Sequence, residues 1–411
     1  MSTTTDREWR VNISEVAKRT CNPIRQVVDC MKVEPCASKH VISLSIGDPT
    51  VFGNFNVHPS IQESLIKQIK SCKSNGYGPS HGLLEARKAI AKKFTIPVAP
   101  LNENDVIIAS GCSGALDIVF NAMFDKKHTL LIPRPGFSLY RTMAEAKGFN
   151  FREYDLIPEK NWEIDLQQLE SLIDETTGAI LVNNPSNPCG SVYSKEHLLD
   201  IIALCEKYRL PIIADEIYCD MVFKGNTFYP MASLTQEVPI IAVGGIAKKY
   251  LVPGWRVGWA LIHSRNGSLD KLRTAMISLS QLIIGANTLV QSALPDILLN
   301  TPEAFYEETI LQLEQNVKLS RDILSEIPGL HVVEPQGAMY MMVGVDIKMF
   351  KDIKNDVEFT EKLMCEESVF CLPGQCFQFP NYFRIVITAP SDQLQEAYVR
   401  IREFCARHTK Q

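Results

Sequence analysis

From about residue 105 to 262, short apolar runs alternate with longer stretches in which apolar side chains recur every three or four positions. The runs are DVIIAS, TLLIP, GAILV, PIIADE, PIIAVGG and VGWALI; the stretches between them include SGALDIVFNAMF, GFSLYRTMAEAKG and KEHLLDIIALCEKYR. A run that is apolar throughout fits a strand covered on both faces. Interleaved with amphipathic helices, such runs predict a mainly parallel sheet between helical layers. After about residue 268 the pattern changes to long helices, among them PEAFYEETILQLEQNVKLSRDILSEI, followed by short strands (LHVV, AMYMMVGV, VFCL, YFRIVIT) and a last helix, QLQEAYVRIREFCAR. This predicts a smaller α+β lobe, completed by the N-terminal segment folding back onto it. A chain of 411 residues exceeds what one hydrophobic core fills, so two lobes are expected. The division expected is a large domain over 49–310, and a small one built from 1–48 and 311–411.

In parallel sheets of this kind ligands sit beyond the carboxyl ends of the strands, so the residues after each run are the candidates for chemistry. Asp215 follows PIIA, where an isolated buried carboxylate would cost several kcal/mol without a cation or strong donors; it is otherwise a helix-capping acid. SGCSG, residues 110–114, follows DVIIA and opens a helix whose free NH groups favour an anion, although Ser113 is equally suited to a simple cap. NNPSNPCG follows GAILV; its Asn-Pro steps hold each asparagine extended and can aim Asn187 inward, or form a plain turn. PRPGFSLY presents Phe137 or Tyr140 at the same edge, as a ligand contact or as packing. GGIAKKYLVPGWRVGW places two adjacent lysines after a glycine pair and an arginine, Arg256, shortly beyond. A turn lysine pair is usually solvated.

Composition narrows the classes. With 45% hydrophobic residues, 22% charged residues and a net charge of -5, the chain has no basic surplus for nucleic acid or an anionic membrane. The polar opening, MSTTTDREWRVNISEVAKRT, has no apolar secretory core, and no apolar run is long enough to span a bilayer. Twelve cysteines without a C-x-x-C pair suggest reduced thiols in the cytosol, and no metal site. The remaining signal is the convergence of an anion cradle, an acid, an asparagine, a lysine and an arginine on one sheet edge. A cofactor with a phosphate, an aromatic nitrogen base and an aldehyde would use every part, which describes pyridoxal 5'-phosphate.

On CNPIR, YGPSHG, SGCSGAL, PGFSLY, NNPSNPCG, DEIY, AKKYLVPGWRVGW and FRIVIT, taken in order and spacing, the chain resembles the fold type I pyridoxal phosphate aminotransferases, in particular their tyrosine aminotransferase branch. The resemblance covers nearly the whole length and implies a large domain with a mainly parallel seven-stranded sheet covered by helices, plus a smaller α+β domain. It implies that Lys248, six residues before the glycine of the Gly-Trp-Arg corner, carries the cofactor, and that Lys249 is its neighbour. It further implies that Arg256, Cys112 and Ser113 hold the phosphate, that Asp215 keeps the ring nitrogen protonated, and that Asn187 and Tyr218 bond the ring oxygen. Phe137 would stack on the ring. Tyr77 would reach the phosphate from the other subunit of a homodimer. Arg384 would take the substrate α-carboxylate, with Gly47 nearby, and the substrates would be an aromatic amino acid, tyrosine first, and a 2-oxo acid, either 2-oxoglutarate or pyruvate. Two departures stand out: Gly245 occupies a position where relatives often carry a phosphate-binding serine, and Leu282 one where aspartate-specific relatives carry a distal-carboxylate arginine, which implies an apolar side pocket suited to an aromatic substrate. The rivals are a carbon-sulfur β-lyase or alanine-type transaminase on the same scaffold, and a non-catalytic binding protein. A nucleotide-binding dehydrogenase is disfavoured, because the glycines of GYGPSHG have the wrong spacing and follow no strand.

Overall fold

The computed structural model describes residues 9, 11–31 and 33–410. Residues 1–8 and 10 of the polar opening read for targeting signals lie outside the described residues. The apolar runs form one sheet of eight strands, in the order Val106–Ala109, Gly258–His263, Ile240–Gly245, Ile212–Asp215, Thr177–Asn183, Thr129–Arg134, Asn150–Ile157 and Glu163–Ile164. The expected seven strands are therefore corrected to eight. The additional one is the two-residue strand Glu163–Ile164, antiparallel to Asn150–Ile157 at the sheet's edge. Neighbouring strands from Ile240–Gly245 through Asn150–Ile157 are all parallel, and Gly258–His263 runs antiparallel to both of its neighbours.

Within each central strand, successive side chains point to opposite faces and enter different cores. Ile108, Leu131, Ile180, Ile212 and Ile240 join the core that continues into the C-terminal lobe. Their neighbours Ile107, Leu130, Leu181, Ile213 and Ile241 join a second core beneath the helices Gly111–Met123 and Asp270–Ser280. Both faces are thus dry, which is why the runs are apolar without alternation.

The C-terminal lobe holds a four-stranded antiparallel sheet in the order Leu330–Val332, Tyr340–Val345, Tyr382–Val386 and Leu372–Pro373, with the helices Asp356–Glu367 and Ser391–His408. The N-terminal segment returns to it: Ile42–Ser43 pairs in parallel with Val369–Phe370, and Val386 N donates to the Leu44 carbonyl at 2.8 Å. The 22-residue helix Glu303–Leu324 buries Leu313, Val317 and Leu324 in the same core. This arrangement brings strand Tyr382–Val386 and the segment after Ser43 over the carboxyl edge of the large sheet.

Candidate active site

A cavity of about 640 Å³ lies at that edge, walled by the strand ends below, by Ser43–Asp48 and strand Tyr382–Val386 above, and by the short helix Pro23–Cys30 at one side. Lys248, Asp215, Tyr218, Cys112, Ser113, Phe137, Asn187, Arg256, Arg384 and Gly47 all line it. Tyr77 does not; it is 90% exposed on its own chain.

Asp215 ends its strand at 3% exposure. Its carboxylate accepts from Tyr140 Oη at 2.6 Å, from Ile217 N at 3.3 Å and from Cys112 Sγ at 3.7 Å. Burial raises the carboxyl pKa and these donors pull it back. Burial also pushes the Tyr140 phenol and the Cys112 thiol well above their usual values, so both stay protonated and remain donors. Among the described residues no cation lies within ion-pair distance of Asp215. A buried acid with donors but no counter-charge is suited to a protonated nitrogen presented from the cavity.

The anion cradle is built by close backbone approach. The helix Gly111–Met123 starts directly after its strand, and Ser110 caps it without a side-chain bond. Ser113 lies inside the first turn, so the simple-cap reading fails and its NH is one of the unsatisfied amides of a helix start. Arg256, held at φ 52° just before the antiparallel strand, lays its guanidinium over that start, with Nη1 donating to Pro253 O at 3.0 Å and Nη2 to Ser110 O at 3.4 Å. A Cβ on Gly111 would sit 2.6 Å from Arg256 Nη2. The antiparallel strand explains why Arg256 precedes its apolar run rather than following one. The departure at Gly245 has a similar cause, because a Cβ there would lie 2.9 Å from Val257 O and 3.0 Å from Gly258 Cα. No serine fits against that backbone.

The two lysines separate cleanly. Lys248 Nζ enters the cavity and donates to the Gly47 carbonyl at 2.6 Å. Lys249 points away, pairing with Asp220 at 3.0 Å and lying 4.1 Å from the Tyr306 ring centroid. Its side chain is only 9% exposed, so it is a packed structural cation rather than the solvated turn lysine expected of such a pair.

Arg384, 3% exposed, donates through Nη1 to Asn187 Oδ1 at 3.0 Å and through Nη2 to Ser45 O at 2.6 Å, while its buried Nε has no partner. It is sandwiched between the rings of Tyr340 (4.4 Å) and Phe377 (4.9 Å). A fixed planar cation with a spare donor suits a carboxylate. Asn187 is itself held by its NH on Asn183 Oδ1 at 2.8 Å, in a loop with cis peptides before Pro185 and Pro188. Tyr218 Oη lies 2.8 Å from Tyr340 Oη. Burial raises the Tyr218 phenol. For Tyr340, burial acts the same way but is outweighed by the nearby charges of Lys248 and Arg384, so its phenol is lowered. Phe137 stands edge-on to Tyr140 at 5.6 Å.

The donor set therefore fits pyridoxal phosphate: an amine, a buried acid, an anion cradle no side chain fills, and two oxygen-directed donors. Among the described residues no group of three or more metal-ligating side chains is present, and no helix is long and apolar enough to cross a membrane. The model of the family "Aminotransferase class I and II" matches residues 39–401. The chain belongs to the class I and II aminotransferases. Like that family, it is a pyridoxal phosphate-dependent transaminase. Among relatives of this aminotransferase, a mouse protein named tyrosine aminotransferase is 52% identical over 401 residues, covering 97% of this chain and 88% of the relative. A Dictyostelium discoideum protein of the same name is 49% identical, covering 98% of each. The crystal structure of tyrosine aminotransferase from Leishmania infantum superposes with a TM-score of 0.94 at 35% identity, covering 98% of this chain and all of that one.

Sequence reasoning gave no role in the site to three contributors, although it named Tyr140 at the sheet edge. Tyr340 opens an otherwise apolar strand, AMYMMVGV, where a lone hydroxyl was the available signal. The bond from Tyr140 to Asp215 spans 75 residues and carried no local sign. The helix Pro23–Cys30 brings Ile24, Arg25 and Val28 to the cavity wall, and only CNPIR pointed to it.

Proposed function

We propose that the protein transfers the α-amino group of an aromatic amino acid, tyrosine first, to a 2-oxo acid by a ping-pong reaction, and that it does so as a homodimer. The convergence of the Lys248 amine, the buried Asp215 and the Arg256 cradle on one cavity carries this reading, and the tyrosine aminotransferase relatives support the substrate. When bound, pyridoxal phosphate supplies an aldehyde that captures the amine and a ring that takes up the electron pair freed at the substrate α-carbon. Lys248 Nζ is the attachment point. With its amine free, Lys248 would be the base that takes up and gives back the α-proton. Asp215, positioned by Tyr140, holds the proton on the ring nitrogen. Asn187 and the Tyr218 hydroxyl would bond the ring oxygen, and Phe137 would stack on the ring. Arg256, with the amides of Cys112 and Ser113, would hold the phosphate, and Tyr77 would reach it from the second subunit. Arg384 takes the α-carboxylate with Asn187, and the Gly47 carbonyl, released by Lys248, borders the substrate.

The test is a pair of neighbouring substitutions. Lys248→Ala is expected to abolish both turnover and the borohydride-reducible cofactor adduct, while Lys249→Ala keeps the adduct and loses thermal stability through its broken contact with Asp220. An adduct mapping to Lys249, or surviving in Lys248→Ala, overturns the assignment.

A further inference from the structure

Tyr340 is where the two halves of the site meet. It opens the strand Tyr340–Val345 of the small sheet and is buried, yet its hydroxyl reaches across to Tyr218, just past the strand Ile212–Asp215, at 2.8 Å. The two rings stand edge to face with centroids 5.8 Å apart. Tyr340 is also the diagonal neighbour of Arg384, because it pairs with Val386 while Met342 pairs with Arg384, and its ring carries that guanidinium at 4.4 Å. On a third side is Gly47. A Cβ there would sit 2.5 Å from Tyr340 Oη, so the glycine that accepts from Lys248 is also the residue that makes room for this hydroxyl.

The backbone fixes Tyr340 in place. The Gly190 carbonyl accepts from Gln336 N at 2.8 Å and from Gly337 N at 2.9 Å, and the Met221 carbonyl accepts from Ala338 N at 2.7 Å. These bonds tie the turn before Tyr340 to the segments that carry Asn187 and Tyr218. The two phenols share one hydrogen bond, and the charges around it settle its direction. Lys248 and Arg384 set their positive charge against Tyr340 and lower its phenol, whereas burial raises that of Tyr218. The cations attract the Tyr340 oxygen and turn its proton away from themselves, toward Tyr218; the more acidic phenol is also the better donor. Tyr218 thus accepts from Tyr340 and keeps its own proton to give. The other titratable groups facing the pair do not reverse this: Asp215 is engaged by its own donors, and Tyr140 and Cys112 stay protonated on it.

Resting on the aminotransferase reading, we propose that Tyr340 is a positioning residue for the reaction: its hydroxyl donates to Tyr218 and so commits the Tyr218 proton to the cofactor's ring oxygen, while its ring holds Arg384 for the substrate carboxylate. One side chain of the small lobe thereby sets proton control and carboxylate binding together. A donor on the ring oxygen stabilises its negative charge, which eases loss of the neighbouring proton at the Lys248 attachment point. Tyr340 acts on the pH at which that proton leaves, and it does so through Tyr218.

The experiment uses the full-length holoenzyme and reads the pH midpoint of its visible absorbance change, which follows that proton, in the parent, Tyr340→Phe, Tyr218→Phe and the double variant. Tyr340→Phe removes the hydroxyl and keeps the ring. Its midpoint is expected to rise by about 0.5–1 pH unit, the size of one net hydrogen bond. Tyr218→Phe should rise further, and the double variant should match Tyr218→Phe alone, because the two hydroxyls act in series. Calorimetric affinity for the unreactive carboxylate 3-phenylpropionate should stay within about twofold in Tyr340→Phe and fall about tenfold in Tyr340→Leu, which loses the aromatic face against Arg384. A midpoint that is unmoved or lowered in Tyr340→Phe, or a shift that adds in full to that of Tyr218→Phe, overturns the role of the hydroxyl. Equal affinity in the phenylalanine and leucine variants overturns that of the ring. Failure of the parent to convert tyrosine at all overturns the underlying reading instead, and the midpoints of the cofactor-loaded protein still decide whether Tyr340 acts through Tyr218.

Discussion

Tyr140 is the residue on which the state of Asp215 depends most directly. Its hydroxyl donates to the carboxylate at 2.6 Å, and a bond to a charged acceptor contributes about 1.5–3 kcal/mol. Tyr140→Phe removes that donor and keeps the ring that stands edge-on to Phe137. The bond favours the ionised acid, so its loss lets burial raise the carboxyl pKa further. Ionised Asp215 then appears at higher pH, and the acid limb of the kcat/KM profile is expected to move upward in pH, with weaker cofactor retention on dialysis. A lower melting temperature with an unmoved limb would mean that Tyr140 only packs. At this scale the sequence was informative where chemistry was local: an acid at the end of a dry strand had to have partners, and the partners exist. It could not say that they are a phenol and a thiol rather than a cation, because Tyr140 and Cys112 reach Asp215 only through the fold. Nor did it separate the two lysines by chemistry; the direction of the chain after Gly245 does that, sending Lys248 into the cavity and Lys249 to Asp220.

The element that organises the cradle is the antiparallel strand Gly258–His263, wedged between Val106–Ala109 and Ile240–Gly245. Its first residue touches backbone on both sides: a Cβ on Gly258 would overlap Cys112 N and the Gly111 carbonyl carbon and lie 2.7 Å from Gly244 O. Backbone cannot rotate away as a side chain can, so Gly258→Ala must push the helix start from the strand, at a cost of about 1–3 kcal/mol or more. Gly258→Ala is expected to lower the melting temperature and to weaken cofactor reconstitution. Gly254→Ala, where nothing lies within 4 Å, should change neither. Equal behaviour of the two variants would contradict the account of the cradle. Six strands were legible because they are apolar on both faces. Asn150–Ile157 was not, since only Tyr154 and Leu156 are buried along it and its polar positions hide the run. Strand direction was illegible in principle, as an apolar run reads the same in a parallel or an antiparallel neighbour.

For the whole molecule, the unexplained feature is apolar surface beside the site. Tyr77 is 90% exposed, Leu282 77%, and Ile283 and Ile284 59% each. The two segments touch, with Ser280 Oγ donating to Ser80 Oγ at 3.0 Å and Thr288 Oγ1 to the Ser74 carbonyl at 3.0 Å, so these exposed side chains stand on adjoining segments of the surface. Contiguous exposed apolar surface of this kind marks an interaction face. The leucine at 282 therefore does not form a side pocket within its own chain, and the homodimer reading gives it a role, since the same patch on a second copy would bury it and carry Tyr77 toward the neighbouring cradle. A pair of charges on the patch, Leu282→Asp with Ile284→Asp, leaves both cores of the monomer untouched. Sedimentation is expected to show the parent at twice the 46.1 kDa chain mass and the double variant at the chain mass. The variant should keep its melting transition for the isolated fold but lose most transaminase activity and bind the cofactor more weakly, because each cradle then lacks Tyr77 from its partner. Tyr77→Phe in the dimeric background should weaken cofactor binding while leaving the assembly intact. A fully active monomer would show that each chain completes its own site, and the shared-site reading would fall.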